Sequence, residues 1–151
     1  MVVGEFDYIE KKENGIQFRV YTPVGKSNLG EFALNFSVKS LAYFEKMFDI
    51  KYPLPKLDLI SIPDFEATAM ENWGAVTFRE NALLVDPKNT ALSTKHLVSI
   101  VISHELGHMW FGDLCTMVKK KTSFNHLILL KLQKKKKDWW DGSTTFWQNN
   151  F

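Results

Sequence analysis

The chain has 151 residues, with 45% hydrophobic and 14% aromatic content; this suffices for one modest domain with a core and excludes a disordered chain. A formal net charge of +2 gives no global pull towards nucleic acid or an anionic membrane surface. Cys115 is the single cysteine, which excludes an internal disulfide framework and favours a reducing compartment.

The opening Met1-Val2-Val3-Gly4-Glu5-Phe6-Asp7 has neither the basic start nor the apolar core of a signal peptide. No apolar stretch is long enough to cross a bilayer, so a cytoplasmic chain is expected. Val3 to Ile9 and Ile16 to Tyr21 are rich in β-branched and aromatic residues and read as strands, with Asn14-Gly15 as the turn between them. The polar stretch from Pro23 to Gly30 breaks that pattern. From Glu31 to Phe48 the period changes. Leu34, Val38, Leu41, Phe44 and Phe48 recur at three- and four-residue steps, which predicts an amphipathic helix. Pro53 and Pro55 are expected to end it and lead into a buried strand, Leu57 to Ile62. Val76 to Arg79 and Ala82 to Val85 read as short strands, and Asp86-Pro87 as a turn. A second helix is expected to start after Thr90 or Ser93, either of which could cap it. It passes through Leu97, Ile100, Val101, His104 and His108 to about Phe111, where Gly112 suits its end. Composition shifts after Met117, where Lys119-Lys120-Lys121 opens a lysine-rich tract closed by Lys134 to Lys137.

His104-Glu105-Leu106-Gly107-His108 is an H-E-x-x-H pentapeptide. On a helix, residues four apart share a face, so both imidazoles can reach one Zn²⁺ at about 2.0–2.1 Å. Glu105 then stands beside the first ligand, placed to take a proton from a water that the metal has made more acidic and to pass it to the leaving amine. The bland alternative is a helix whose histidines are merely hydrogen-bonded or exposed. Against it stands the upstream run Leu97-Val98-Ser99-Ile100-Val101-Ile102, which predicts a buried helix carrying the pair into the interior, where two imidazoles need partners.

A second segment, Pro63-Asp64-Phe65-Glu66-Ala67-Thr68-Ala69-Met70-Glu71-Asn72-Trp73-Gly74, resembles the G-A-M-E-N-W-G signature of the gluzincin zinc aminopeptidases. The stretch from Val2 to Met117 looks like the puromycin-sensitive branch of that family. Val2 to Asp7, Arg19 to Lys26, Tyr52 to Lys56, Asp86 to Asn89 and Trp110 to Leu114 are the other matching blocks. The resemblance implies His104 and His108 as metal ligands, Glu105 as the base, and Zn²⁺ as the cofactor. It also implies a substrate-binding segment, Ala69, Met70, Glu71 and Asn72. There Glu71 would hold the protonated α-amine of a peptide through a charge-assisted hydrogen bond, and the Ala69-Met70 backbone would align the peptide as an added strand.

Three positions depart from the family pattern. Thr68 stands where the signature has glycine, a side chain that could crowd the substrate or restrict φ. The family's third zinc ligand is a glutamate that would fall at Leu127, and no glutamate follows Glu105; His126, Asp138 and Asp141 are the nearby alternatives. The family's oxyanion-stabilising tyrosine has no counterpart, since no tyrosine follows Tyr52. If residues 118–137 are set aside, Met117 joins Asp138-Trp139-Trp140-Asp141, which resembles the family's continuation, so the tract reads as an aberrant insertion. The lysine-flanked Ile128-Leu129-Leu130 could also be read as a short basic membrane-surface helix.

The expected fold is α+β, an incomplete thermolysin-like metallopeptidase lobe of mixed sheet plus active-site helix. Residues 1–22 would be terminal strands of a preceding β-rich domain, 23–117 the N-terminal part of the catalytic domain, and 118–151 an aberrant tail. The expected function is zinc-dependent removal of N-terminal residues from peptides, with impaired turnover. The alternative is a non-catalytic peptide-binding or non-functional fragment of such an enzyme. The expected partners are peptides with a free N-terminus, without nucleic acid or membrane.

Overall fold

The computed structural model describes residues 2–116. They begin with two strands, β1 (Phe6–Glu13) and β2 (Ile16–Pro23), followed by helix α1 (Glu31–Phe48) and strand β3 (Lys56–Ile62). Two shorter strands come next, β4 (Ala69–Met70) and β5 (Ala75–Arg79), and then helix α2 (Leu92–His108). Met1–Trp110 forms one compact unit and a second begins at Phe111. In the latter, residues 111–116 make a tight turn in which Gly112 N donates to Cys115 O at 3.2 Å.

The β1–β2 hairpin closes through Asn14 and Gly15 at φ 50° and 82°. Two successive positive φ values match the right-handed twist of the flanking strands, which is why Asn-Gly suits this turn. The sheet has five strands in the order β1-β2-β3-β5-β4. The outer pairs are antiparallel, and β2–β3 and β3–β5 are parallel. A parallel pair cannot be joined by a hairpin, and α1 provides the crossover from β2 to β3. The hairpin is hydrogen-bonded through β2 to β3 in the same sheet.

One face of the sheet is the core face. Alternation along β2 buries Ile16, Phe18, Val20 and Thr22, matched by Leu57 and Leu59 on β3 and Val76 and Phe78 on β5. The buried side of α1 carries Ala33, Leu34, Leu41, Phe44 and Phe48. A buried contact between Ser40 Oγ and Ser103 Oγ, 3.0 Å apart, joins α1 to α2. Beyond it Trp110, fully buried, has its ring centroid 5.3 Å from that of Phe48 and 6.1 Å from those of Phe44 and Tyr52. Its indole N–H donates to Ile50 O at 3.1 Å. This cluster fixes the C-terminal end of α2, where the H-E-x-x-H residues stand.

Several sequence expectations need correction. β1 starts at Phe6 rather than Val3. α1 ends because Asp49 turns left-handed at φ 55°, before either proline is reached. Ala82 to Val85 is not a strand: a 3-10 turn, Glu80–Ala82, buries Leu83 and Val85, and Val85 N donates to Leu29 O at 2.9 Å. Helix α2 starts at Leu92 with Ala91 as its cap and no capping side chain. Thr90 Oγ1 instead accepts from Asp86 N at 2.9 Å. The helix stops at His108, short of Phe111.

The largest correction concerns burial of α2. Val98, Ile102 and Leu106 face inward, whereas Leu97 is 63% exposed, Ile100 is exposed and so is His104. At 100° per residue an apolar run cannot all face one way, so the helix leaves His104 exposed and His108 half-buried instead of carrying both into the interior.

Gly74, between β4 and β5, has φ +68°, and a Cβ added there would lie 2.6 Å from Leu54 Cδ1. Gly74→Ala is thus expected to destabilise the chain by about 1–3 kcal/mol through backbone strain and overpacking, lowering the urea midpoint. Gly15→Ala, with the same sign of φ but nothing within 4 Å, serves as the comparison and should cost less. Equal midpoints for the two variants would contradict the packing argument.

Candidate active site

The histidine pair follows from helix geometry. His104 and His108 are one turn apart on α2, and their Nε2 atoms approach to 3.1 Å with the rings nearly perpendicular. Two nitrogens bound at about 2.0–2.1 Å to one tetrahedral ion stand about 3.3 Å apart, so the pair fits a shared Zn²⁺ with little adjustment. The His104 imidazole is pushed below its ordinary pKa by partial desolvation and then by His108, while Glu71 pulls the other way. A neutral ring is the form that ligates metal.

Glu105 lies between the two in sequence and is only 6% exposed. Its Oε2 is buried and accepts no hydrogen bond. Burial first, and Glu71 second, raise its pKa to about 7, with His108 opposing them. A carboxyl group titrating near neutrality is suited to taking up and releasing a proton.

Glu71 is brought to this helix by topology, not by sequence proximity. It follows β4, the edge strand of the sheet, which pairs with β5 through Ala69↔Phe78 and Met70↔Thr77, and α2 packs beside β4. Half-buried there, Glu71 acts electrostatically on both Glu105 and His104. Asn72 holds the segment: its Nδ2 donates to Thr77 Oγ1 at 3.2 Å and to Met70 O at 3.4 Å. Met70 is exposed on this edge strand of the described sheet.

Residues that sequence reasoning missed hold this segment in place. Thr77 is the buried acceptor for Asn72. Arg79 donates from Nε to Phe65 O at 3.0 Å and from Nη2 to Glu66 O, pinning the loop before β4. Lys56 Nζ donates to Gly74 O at 2.8 Å on the far side of the segment. The only sequence signal for them was a polar residue recurring on alternate positions of a strand. Thr68, suspected of restricting φ, is exposed and has no positive φ, and its carbonyl accepts from Arg79 N at 2.9 Å.

Among the described residues no group of three or more His, Cys, Asp or Glu is placed to hold a metal. His126, Asp138 and Asp141, with the lysine-rich tract and the Ile128-Leu129-Leu130 segment, lie outside the described residues. No helix among the described residues is long and apolar enough to cross a membrane.

Residues 32–129 match the model of the peptidase family M1 domain, so the match runs past Met117. The chain is 54% identical over 116 residues to the puromycin-sensitive aminopeptidase of Caenorhabditis elegans, covering 76% of this chain and 12% of that protein. It is 57% identical over 118 residues to aminopeptidase M1-B of Oryza sativa subsp. japonica, covering 78% and 14%. It is also 42% identical over 141 residues to the mitochondrial aminopeptidase 2 of Saccharomyces cerevisiae, covering 93% and 13%. The chain thus spans about an eighth of the length of these relatives.

Proposed function

The chain belongs to peptidase family M1, and we propose that it carries the zinc-and-base side of an aminopeptidase site that removes N-terminal residues from peptides. The observation that carries this reading is two imidazole nitrogens 3.1 Å apart on the helix that also carries Glu105, whose buried Oε2 has no hydrogen-bond partner and whose carboxyl group feels His108. The α+β architecture is read as part of a thermolysin-like lobe, supported by its mixed sheet and the H-E-x-x-H helix.

In this proposal His104 and His108 hold Zn²⁺. When bound, the ion supplies Lewis-acid chemistry, polarising a peptide carbonyl and making a nearby water more acidic. Glu105 accepts a proton at its buried carboxylate and later donates it to the leaving amine, a role its raised pKa favours. Glu71 accepts N–H bonds from the substrate ammonium, so that only a free N-terminus is well held. The exposed edge of β4 pairs with the peptide backbone, and Asn72, tied to Thr77, keeps Glu71 on the correct side of that edge. A cytoplasmic setting belongs to the same reading and rests on the single cysteine.

Leu127 stands where the resemblance places the third ligand, and no glutamate follows Glu105, whereas catalytic zinc sites use three protein ligands. Weak metal retention and low turnover are therefore part of the proposal, and the same observation favours the second reading, a non-catalytic peptide-binding module. Zinc content measured alongside hydrolysis of alanyl arylamide separates the two. Zinc-dependent cleavage that is lost in Glu71→Gln, and absent for the N-acetylated substrate, supports the aminopeptidase. Peptide binding without zinc or cleavage supports the module.

A further inference from the structure

Strand β4 is two residues long, Ala69–Met70, and so offers only about 7 Å of extended edge. A peptide whose ammonium group is held by Glu71 and whose backbone runs along β4 leaves the strand after about two residues. It then meets the segment that enters β4, residues 63–68. That segment has little packing of its own. Residues 63, 64 and 66–68 are exposed and Phe65 is half-buried, and Asp64 turns left-handed at φ 54°. A backbone so placed is free to move unless something ties it down.

Arg79, the last residue of β5, ties it down. Its Nε donates to Phe65 O at 3.0 Å and its Nη2 to Glu66 O. Its backbone N donates to Thr68 O at 2.9 Å. The planar guanidinium offers two donors in a fixed fork, which suits two adjacent carbonyls; a lysine ammonium is a single point of contact. The side chain and the main chain of Arg79 do different things. Strand β4 is paired to β5 through Ala69↔Phe78 and Met70↔Thr77, which needs no guanidinium. The fork acts only on the segment ahead of the strand. A surface ordered before a ligand arrives does not lose freedom when the ligand lies against it, and binding gains by that amount.

We propose that Arg79 is a positioning residue that fixes residues 65–68 as the surface for the third and following residues of a bound peptide, so that the site favours longer peptides over single-residue amides. The inference rests on the reading above that Glu71 holds the peptide N-terminus beside β4.

The test titrates the full chain by NMR with alaninamide, tetra-alaninamide and N-acetyl-tetra-alaninamide. In the native chain tetra-alaninamide should bind about tenfold more tightly than alaninamide, the equivalent of one or two net hydrogen bonds. Arg79→Met keeps the length of the side chain without its donors and should bring that ratio to about two or less. Arg79→Lys keeps the charge without the fork and should also lose most of the ratio, which keeps the test decisive should Arg79→Met fail to fold. A merely structural role would weaken the short and long ligands alike and leave the ratio unchanged. A native ratio near one, a ratio retained in Arg79→Met, or full recovery in Arg79→Lys would each overturn the proposal. Equal binding of the free and N-acetylated peptides would instead remove the Glu71 reading, and this inference with it. A preference for the free amine combined with an undiminished ratio in Arg79→Met would remove this inference alone.

Discussion

Replacing Glu105 with glutamine is expected to lower zinc-dependent cleavage of alanyl arylamide by about 10²–10⁴-fold, the usual contribution of a positioned general base. Glutamine preserves size and hydrogen-bonding capacity but cannot take up the proton. The side chain is buried and its Oε2 has no partner in the fold, so the fold gains nothing from the negative charge. Desolvation is the main cause of the raised pKa, and a neutral amide relieves it. Glu105→Gln should therefore melt at or above the temperature of the native chain while losing turnover. Retained cleavage, or a loss of stability to match the loss of turnover, would show that Glu105 is a structural acid.

The second large effect concerns Trp110. Its truncation to alanine removes a fully buried indole from between Phe44, Phe48 and Tyr52 and leaves Ile50 O without its donor. Deletions of this kind cost about 3–5 kcal/mol, set against a total of about 5–15 kcal/mol for a domain. Urea unfolding should show a loss on that scale. Trp73→Ala provides the control, because Trp73 is exposed and such surface changes stay within about 0.5 kcal/mol. Because Trp110 lies two residues past the end of α2, its loss should also loosen the His104–His108 pair. Similar midpoints for the two tryptophan variants would contradict this account of how the helix end is fixed.

The parts of the fold legible in the sequence are those where one period dominates. α1 was readable because Leu34, Leu41, Phe44 and Phe48 repeat at helical spacing, and all are buried. The hairpin was readable because Asn14 and Gly15 both need positive φ. Short or uniformly apolar runs were not. Ala82 to Val85 is apolar in either a strand or a buried turn, and nothing local separates the two. The run Leu97 to Ile102 concealed which of its sides would face α1, a choice set by packing partners such as Ser40. Thr90 looked like a cap, but the Asp86 turn uses its hydroxyl instead.

The candidate site divides along the same line. The one-turn spacing of His104 and His108, with Glu105 beside the first, follows from helix geometry. Glu71 does not: its approach to α2 depends on β4 being the edge strand, a fact of sheet order that no local pattern encodes. Only the family resemblance pointed to it. The supports behind it, Thr77 and Arg79, act through hydrogen bonds to residues five to fourteen positions earlier, and alternate polar residues on one strand were their only sign in the sequence.

The most direct measurement is a zinc titration of the intact chain against a chromophoric chelator, comparing the native sequence with Glu105→Gln and the His104→Ala/His108→Ala double variant. One weakly held zinc per chain is expected, retained in Glu105→Gln. The double variant should lose it, by more than the about 10–100-fold that removing an outer partner of a ligand costs. Zinc bound equally well without both imidazoles would contradict the central claim that this pair forms the metal centre.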